Sequence, residues 1–308
     1  MFKQLYQQLF SQQQQLTSGL FVVSTPIGNL ADITFRALYV LENCHTIVCE
    51  DTSKTLTLLN FFGIKNKKTI TYNDHSNEKT RQNIVDLLQN QQIVALVSDA
   101  GTPLISDPGY KLIRFLQQLN YPIYTIPGCC SAVSAISISG IACDQFLFAG
   151  FLPEKTQAKT TFLQEFPNNF SLIFFETAKR LLDSLNIMLE TLGNRRIAVA
   201  KELTKIHEQI ITGTISEVLT YLQENPSKIK GEIVLLLEKS SQNQYCENDI
   251  LQDISLYLPS AKSSKDLATQ LAVKFHTNKK TIYQLILQHQ HQTQTQTQTK
   301  PNNEQEKK

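Results

Sequence analysis

Glycine is scarce and scattered in this chain of 308 residues: there are 11, and no two stand closer than eight positions apart. That spacing excludes a G-x-G-x-x-G dinucleotide fingerprint and a G-x-x-x-x-G-K-[ST] phosphate loop. The glycine-rich first loop of common Rossmann-type cofactor folds is missing as well. His207-Glu208 is followed at position 211 by Ile rather than a second histidine, so there is no zincin site, and no G-x-S-x-G elbow marks an α/β-hydrolase. The cysteines at 44, 49, 129, 130, 143 and 246 never form C-x-x-C. This argues against zinc ribbons and thioredoxin-like chemistry, so no metal is expected and the thiols are read as small buried residues in a reducing compartment. Long apolar runs are lacking too. Ile233-Val234-Leu235-Leu236-Leu237 is among the longest and is far too short to span a bilayer. The start, Met1-Phe2-Lys3-Gln4, does not have the charged-then-apolar order of a signal peptide. The expectation is a cytoplasmic protein with no membrane association.

What is present suits a globular protein. Apolar residues make up 41% of the chain, enough to fill two core-bearing domains with an appendage. Charge is uneven: residues 260–308 carry a net +5 and the remainder −3, which sum to the overall +2. A basic appendage on a slightly acidic body suits a polyanion such as RNA, and equally a soluble tail with a few lysines.

Strands and helices alternate through the first half. Apolar runs predict strands at 20–24, 46–49, 93–98 and 123–126, with helical patterns near 32–43, 52–62, 77–90 and 110–119. Ile33, Ala37 and Leu41 recur at the helical period. This alternation predicts parallel strands joined by crossover helices. Beyond Pro127-Gly128 the order is less regular, with strands at 146–151, 172–175, 197–200, 209–212 and 233–237 and helices near 131–139, 178–192 and 216–223. The expected fold is therefore α/β, with two α/β domains: a parallel-type sheet in 19–128 and a mixed sheet in 129–238, with the cofactor cleft between them. A short tail (1–18) precedes them. A polar linker (239–249), two or three helices (250–290) and a low-complexity Gln-Thr tail (291–308) expected to be disordered follow.

Four loops at strand ends are rich in Gly, Pro and short polar residues. They are Ser24-Thr25-Pro26-Ile27-Gly28-Asn29-Leu30, Glu50-Asp51-Thr52, the stretch Ser98-Asp99-Ala100-Gly101-Thr102-Pro103-Leu104-Ile105-Ser106-Asp107-Pro108-Gly109, and Pro127-Gly128-Cys129-Cys130-Ser131-Ala132. Together they can bring backbone N–H and C=O groups to one crevice, for a ligand with an adenine, a ribose and an amino-acid end. At these residues the chain resembles the tetrapyrrole methylase superfamily, and within it the branch that methylates small-subunit ribosomal RNA. The match also takes in Gly150-Phe151-Leu152-Pro153 and Glu202-Leu203-Thr204-Lys205, and runs from about residue 19 to 290.

The resemblance implies S-adenosyl-L-methionine in the cleft between two α/β domains. It also implies 2′-O-methylation of a cytidine in the decoding region of 16S rRNA, at position 1402 of the usual rRNA numbering. The partner would then be 16S rRNA, within the small ribosomal subunit, and a homodimer is expected. Cofactor contacts are expected at Pro26, Gly28, Ser98, Asp99, Ala100, Gly101, Thr102, Pro103, Cys130, Ser131 and Ala132. The chain departs from the family in three places: Ser53 stands where an Arg usually follows Glu-Asp-Thr, Cys129 where a Pro follows Pro-Gly, and Lys179 where a His precedes Arg180. Lys54 is expected to supply the charge that Ser53 lacks, although a point charge does not reproduce a bidentate fork.

Methyl transfer from a sulfonium is an in-line displacement, so orientation and proximity supply most of the acceleration. A ribose hydroxyl is a poor nucleophile and needs a base or a cation that stabilises its alkoxide. Candidate acid–base groups near the strand-end loops are Glu50, Asp51, Asp74, His75 and Asp99, and from the second domain Glu176, Lys201, Glu202, Lys205, His207 and Glu208. Asp51 is equally well placed to cap a helix, and His75 reads alternatively as an exposed loop histidine with Asn77 capping the next helix. The resemblance favours Asp74-His75, because it includes the Asp-His pair before Asn-Glu. RNA contacts are expected at Lys54, Lys179, Arg180, Lys201, Lys205, Lys279 and Lys280.

Near the C-terminus, Leu267, Leu271 and Phe275, then Ile282 and Ile286, repeat at four-residue spacing. They predict a helical hairpin that either packs on the body or a second subunit, or clamps RNA with Lys265, Lys274, Lys279 and Lys280. Two other functions share this sequence pattern: a tetrapyrrole C-methylase, and a non-catalytic RNA-binding homologue.

Overall fold

The computed structural model describes residues 16–240, 247–261, 263–275 and 279–298. Its first sheet is built from β1 (Gly19–Val23), β2 (Thr46–Cys49), β3 (Lys68–Thr71), β4 (Ile93–Leu96) and β5 (Ile123–Ile126), in the order β3-β2-β4-β1-β5. All its pairings are parallel. The crossover helices are α1 (Phe35–Asn43), α2 (Thr52–Phe61), α3 (Glu78–Gln89) and α4 (Tyr110–Gln118). Strands buried on both faces explain the unbroken apolar runs. Phe21, Val23, Ile47, Cys49 and Ala95 face Val40 and Leu41 of α1 and Leu59 of α2, whereas Leu20, Val48, Val94 and Leu96 face Ile84 and Leu88 of α3 and Leu112 and Leu116 of α4. The edge strand β3 escaped the sequence reading because Lys68-Thr69-Ile70-Thr71 is polar and only half buried.

The second sheet comprises β6 (Phe146–Phe151), β7 (Ser171–Thr177), β8 (Arg196–Lys201), β9 (Gln209–Thr214) and β10 (Glu232–Leu237), in the order β6-β7-β10-β8-β9. Only β6–β7 is parallel, so the sheet is mixed. One face packs on α6 (Thr156–Gln164), α7 (Leu181–Leu192) and α8 (Ile215–Glu224). The other receives α5 (Ser131–Ser139) through Ala132 and Ala135, together with Ile27 from the loop after β1. Ile27 thus ties the first half of the chain to Ile173, Ala200 and Val234 of the second sheet. Helix α6 was not anticipated from sequence. Its inner face carries the fully buried Lys159, which breaks the apolar period.

Both sheets belong to one compact unit, Met1–Lys239, and Ser240–Lys308 forms another. Within the second unit lie three helices: α9 (Glu247–Tyr257), α10 (Ser264–Lys274) and α11 (Lys279–Gln298). Ile250, Ile254, Leu267, Leu271, Phe275, Ile282 and Ile286 form their shared core, so the four-residue spacing in the sequence does mark buried faces. Two boundaries differ from expectation. Helix α9 begins at Glu247, inside the expected linker, and α11 runs to Gln298, past the expected start of a disordered tail at 291. Cys246, residues 276–278, where a turn is expected, and the last ten residues lie outside the described residues. Among the described residues no helix is long and apolar enough to cross a membrane, and no cluster of metal-ligating side chains occurs.

Candidate active site

The loops leaving the carboxyl ends of the first sheet are bonded to one another. Thr25 N–H donates to Gly101 O at 2.8 Å and Gly101 N–H to Thr25 O at 3.1 Å, a two-residue antiparallel bridge between the loops after β1 and β4. The Ser24 and Thr102 hydroxyls meet at 2.9 Å, and Thr102 donates to Cys129 O at 2.8 Å, which brings in the loop after β5. Asp99 attaches the loop after β2: its carboxylate accepts from Asp51 N–H at 3.1 Å and from Lys54 Nζ at 2.7 Å. Four loops with little regular structure are thereby held in one arrangement.

Against them lies a cavity of about 280 Å³, enclosed on its far side by the second sheet. Ala100, Gly101, Thr102, Cys130 and Ser131 of the expected cofactor contacts line it. Ser98, Pro26 and Ala132 are buried and do not line it, nor do Asp99 and Pro103. Gly28 serves a different purpose. A Cβ there would come within 2.6 Å of Lys205 and 2.8 Å of the Thr204 hydroxyl, so glycine is needed for the two halves to approach. Asn29 N–H donates to the same Thr204 hydroxyl at 3.0 Å.

Of the lining groups, Glu176 was among the acid–base candidates read from the sequence, and several others were not singled out there. Ile105, Ser106 and Asp107 come from the loop after β4, Glu176 and Thr177 from the end of β7, and Gly231 and Glu232 from the start of β10. Leu104 and Ser106 hold left-handed backbone at φ 73° and 64°, which costs energy for non-glycine residues and fixes the direction of the Asp107 neighbourhood. Gly150 of β6 lets the second sheet come close, since a Cβ there would sit 3.2 Å from the Ser106 hydroxyl.

The carboxylates of the wall are not alike. Glu176 is buried and accepts from Arg180 Nε at 2.8 Å, Ser184 Oγ at 2.6 Å and Thr177 N–H at 2.7 Å. Glu232 pairs with Lys205 at 3.0 Å. Asp107 forms no ion pair among the described residues. Burial pushes its carboxyl up to about 6; the Ser98 hydroxyl opposes the rise, while Glu50 and Asp99 add to it. Burial likewise raises Glu50, with Asp99 adding to the effect.

The expected acid–base pair lies elsewhere. The Asp74 carboxylate accepts from Gly109 N–H at 3.2 Å, and its carbonyl accepts from Lys111 Nζ at 2.8 Å. Asp74 therefore holds the end of the long loop and does not reach the cavity wall. His75 is exposed and Asn77 caps α3, as the alternative reading had it. Replacing His75 by Ala is expected to change single-turnover methyl transfer by less than about threefold and stability by less than about 0.5 kcal/mol. Rapid-quench kinetics and urea melts check this. Asp51 caps α2 through Ser53 and Lys54 N–H. Neither it nor Glu50 lines the cavity.

The expected RNA contacts divide. Lys201 is a correction: it is buried, with its ammonium on the Lys228 carbonyl, and offers no surface charge. Lys54 is exposed beside the cavity loops, and Asp99 holds its ammonium charged. Lys179 is exposed in the short 3-10 turn Ala178–Arg180, next to cavity residue Thr177. Arg180 and Lys205 are engaged with Glu176 and with Glu202 and Glu232. Lys279 and Lys280 are exposed at the start of α11 in the second unit.

Residues 19–219 match the family model described as Tetrapyrrole (Corrin/Porphyrin) Methylases. The chain belongs to the tetrapyrrole methylase family. The match spans both halves of the cavity-bearing unit as far as α8. The chain is also similar to a ribosomal RNA small subunit methyltransferase I of Rickettsia prowazekii (strain Madrid E), 44% identical over 274 residues, 88% of this chain and 97% of the relative. The protein of the same name from Pasteurella multocida (strain Pm70) is 40% identical over 281 residues, 89% of this chain and 98% of that one. Among solved structures, the uroporphyrin-III C-methyltransferase of Thermus thermophilus, complexed with S-adenyl homocysteine, aligns with a TM-score of 0.50 at 15% identity, covering 72% of this chain and 97% of the other. At that identity the likeness is one of fold. The missing glycine-rich nucleotide loop is no anomaly, since the cavity is lined by the loops after β1, β4 and β5 together with the second sheet.

Proposed function

We propose that this chain transfers a methyl group from S-adenosyl-L-methionine to the ribose 2′-hydroxyl of a cytidine in small-subunit ribosomal RNA, position 1402 being the expected site. The observation that carries this reading is likeness over nearly the whole length of both partners to curated methyltransferases of small-subunit rRNA, at 40% and 44% identity.

The cavity fits the methyl donor. Ile27, Ile105 and Leu203 supply apolar surface for the adenine, and the left-handed Gly101, at φ 78°, lets backbone groups approach. Helix α5 has no side-chain cap at Cys130, so its first N–H groups would receive the amino-acid carboxylate. When bound, the donor supplies an electrophilic methyl on a positively charged sulfur. The residues of this chain orient the two reactants and exclude water. Lys54 and Lys179 would meet the RNA backbone near the cavity, and Lys279 and Lys280 would do so from the second unit.

Mass spectrometry of 16S rRNA nucleosides from cells with and without the gene tests the function. Loss of one 2′-O-methylcytidine on deletion is expected, and an unchanged rRNA would overturn the reading in favour of a tetrapyrrole C-methylase or a non-catalytic RNA binder. RNA affinity should also fall with added salt, more steeply for the full chain than for one ending at Lys239. Filter binding across a salt series checks this, and equal slopes would leave the helical unit without an RNA role.

A further inference from the structure

We propose that Asp107 is the general base of this site, the carboxylate that accepts the proton of the attacking ribose hydroxyl. The inference rests on the ribose-methylation reading and adds the residue that performs its proton transfer. It begins from placement. Asp107 lines the cavity on the wall formed by the loop after β4, beside Gly101 and Thr102 and across from the ends of β7 and β10. Three carboxylates line the cavity, and two of them are engaged: Glu176 with Arg180, and Glu232 with Lys205. A carboxylate held by a guanidinium or ammonium is a weakened base. Among the described residues Asp107 has no such partner.

Apart from the Ser98 hydroxyl that bonds its carboxyl, the described residues give Asp107 no structural partner. Helix α4 starts three residues later, with Gly109 at its cap position at φ 133° and no side-chain cap bond. An acid just before a helix is ordinarily explained by capping, and here that explanation fails. Leu104 and Ser106 bear left-handed backbone to bring the side chain to the cavity, a form of strain that clusters at functional positions.

The electrostatic surroundings suit the role. Facing Asp107 are Ser98 and Asp99 from its own loop, with Asp99 paired to Lys54 of α2, and Glu50 from the loop after β2. Glu176 with Arg180 and Glu232 with Lys205 face the same cavity from the second sheet. Partial burial, with the Glu50 and Asp99 carboxylates adding to it, favours the protonated form, and the resulting affinity of about 6 lies close to neutral pH. A general base works best when its proton affinity is near the working pH. As the oxygen–methyl bond forms, the methyl–sulfur bond breaks and its electron pair stays on sulfur. The hydroxyl proton passes to Asp107, which releases it to water after the product departs.

The test uses the full chain, S-adenosylmethionine and a small-subunit RNA substrate, with single-turnover rates measured between pH 5 and 9. Wild-type rates should rise with unit slope up to about pH 6 and then level off. Asp107→Asn should fall by about a hundredfold to ten-thousandfold and lose that inflection, while Asp107→Glu recovers part of the rate and the inflection with it. Calorimetric binding of S-adenosylhomocysteine by Asp107→Asn should stay within about threefold of wild type, which also reports that the variant is folded. Carbon-13 NMR of aspartate-labelled protein should show one carboxyl titrating near 6 that is absent from Asp107→Asn.

An Asn variant with near wild-type rate, or with the inflection intact, would overturn the proposal even if 2′-O-methylcytidine is made. Loss of cofactor binding in that variant would make Asp107 a cofactor contact and overturn the base role. Absence of ribose methylation by the wild type would instead overturn the functional reading, and the base role with it.

Discussion

Replacing Gly101 by Leu is expected to abolish S-adenosylmethionine binding while the fold survives. Gly101 lies on the cavity wall with φ at 78°, a conformation that an L side chain adopts at a cost of roughly 1–2 kcal/mol. A Cβ there would stand 3.1 Å from Ile27 Cγ2 and 3.6 Å from the Cys129 carbonyl, so the first carbon already presses on the wall and the rest of the side chain must enter the cavity. That cavity is only about 280 Å³, and an isobutyl group would take up the space a nucleoside needs. The backbone bonds from Gly101 to Thr25 do not involve the missing side chain, so the loop bridge should persist. Calorimetry should detect no binding at ligand concentrations about a hundredfold above the wild-type dissociation constant, with unchanged circular dichroism. Gly101→Ala, which adds only the strained Cβ, should bind more weakly than wild type without losing the ligand. Wild-type affinity in the Leu variant would remove this loop from the cofactor site.

The residues that carried sequence information were those whose burial or conformation depends on near neighbours in the chain. The strands 46–49, 123–126 and 146–151 are bounded in the structure as the apolar runs predict, because each strand is defined by its own residues. Gly101 and Thr102 were legible as cavity residues because a ligand loop follows a buried strand. Glu176 was named only as one acid among several, and Glu232 was not named, because the two meet only through the antiparallel pairing of β10 with β7, a register that local pattern does not encode. Asp107 stood within the recognised loop but carries no local signature. What marks it is the absence of a countercharge in three dimensions, together with a cap position already filled by Gly109. Asp74-His75 shows the opposite failure. A sequence pair that reads as acid–base chemistry supports a loop instead, since the Asp74 carboxylate accepts from the Gly109 amide and its carbonyl from Lys111. Lys201 was read as a surface cation, and Lys159 interrupts the apolar period of α6; both side chains are buried with their ammonium groups on oxygen partners.

Replacing Glu176 by Ala is expected to destabilise the chain by about 3–5 kcal/mol, the largest stability effect among these variants. The Glu176 side chain is fully enclosed and carries three bonds, from the Arg180 guanidinium, the Ser184 hydroxyl and Thr177 N–H. Ser184 in turn accepts from Lys159, whose ammonium also meets Asp183 at 2.7 Å. Removing the carboxylate would leave a largely buried guanidinium unpaired and shift the balance of the lysine beside it. An orphaned buried charge costs more than the intact pair contributes. Glu176→Gln keeps the shape and an acceptor oxygen but not the charge, so its loss should be smaller, about 1.5–3 kcal/mol. Urea denaturation of the full chain, followed by tryptophan-free probes such as far-UV circular dichroism, gives both values. The difference between the two variants isolates the charge from the packing, and because Glu176 and Thr177 form part of the cavity wall, cofactor affinity should fall in the same order as stability. A loss below about 1 kcal/mol for Glu176→Ala would mean that water enters to solvate Arg180, and the wall of the cavity would then be open on this side.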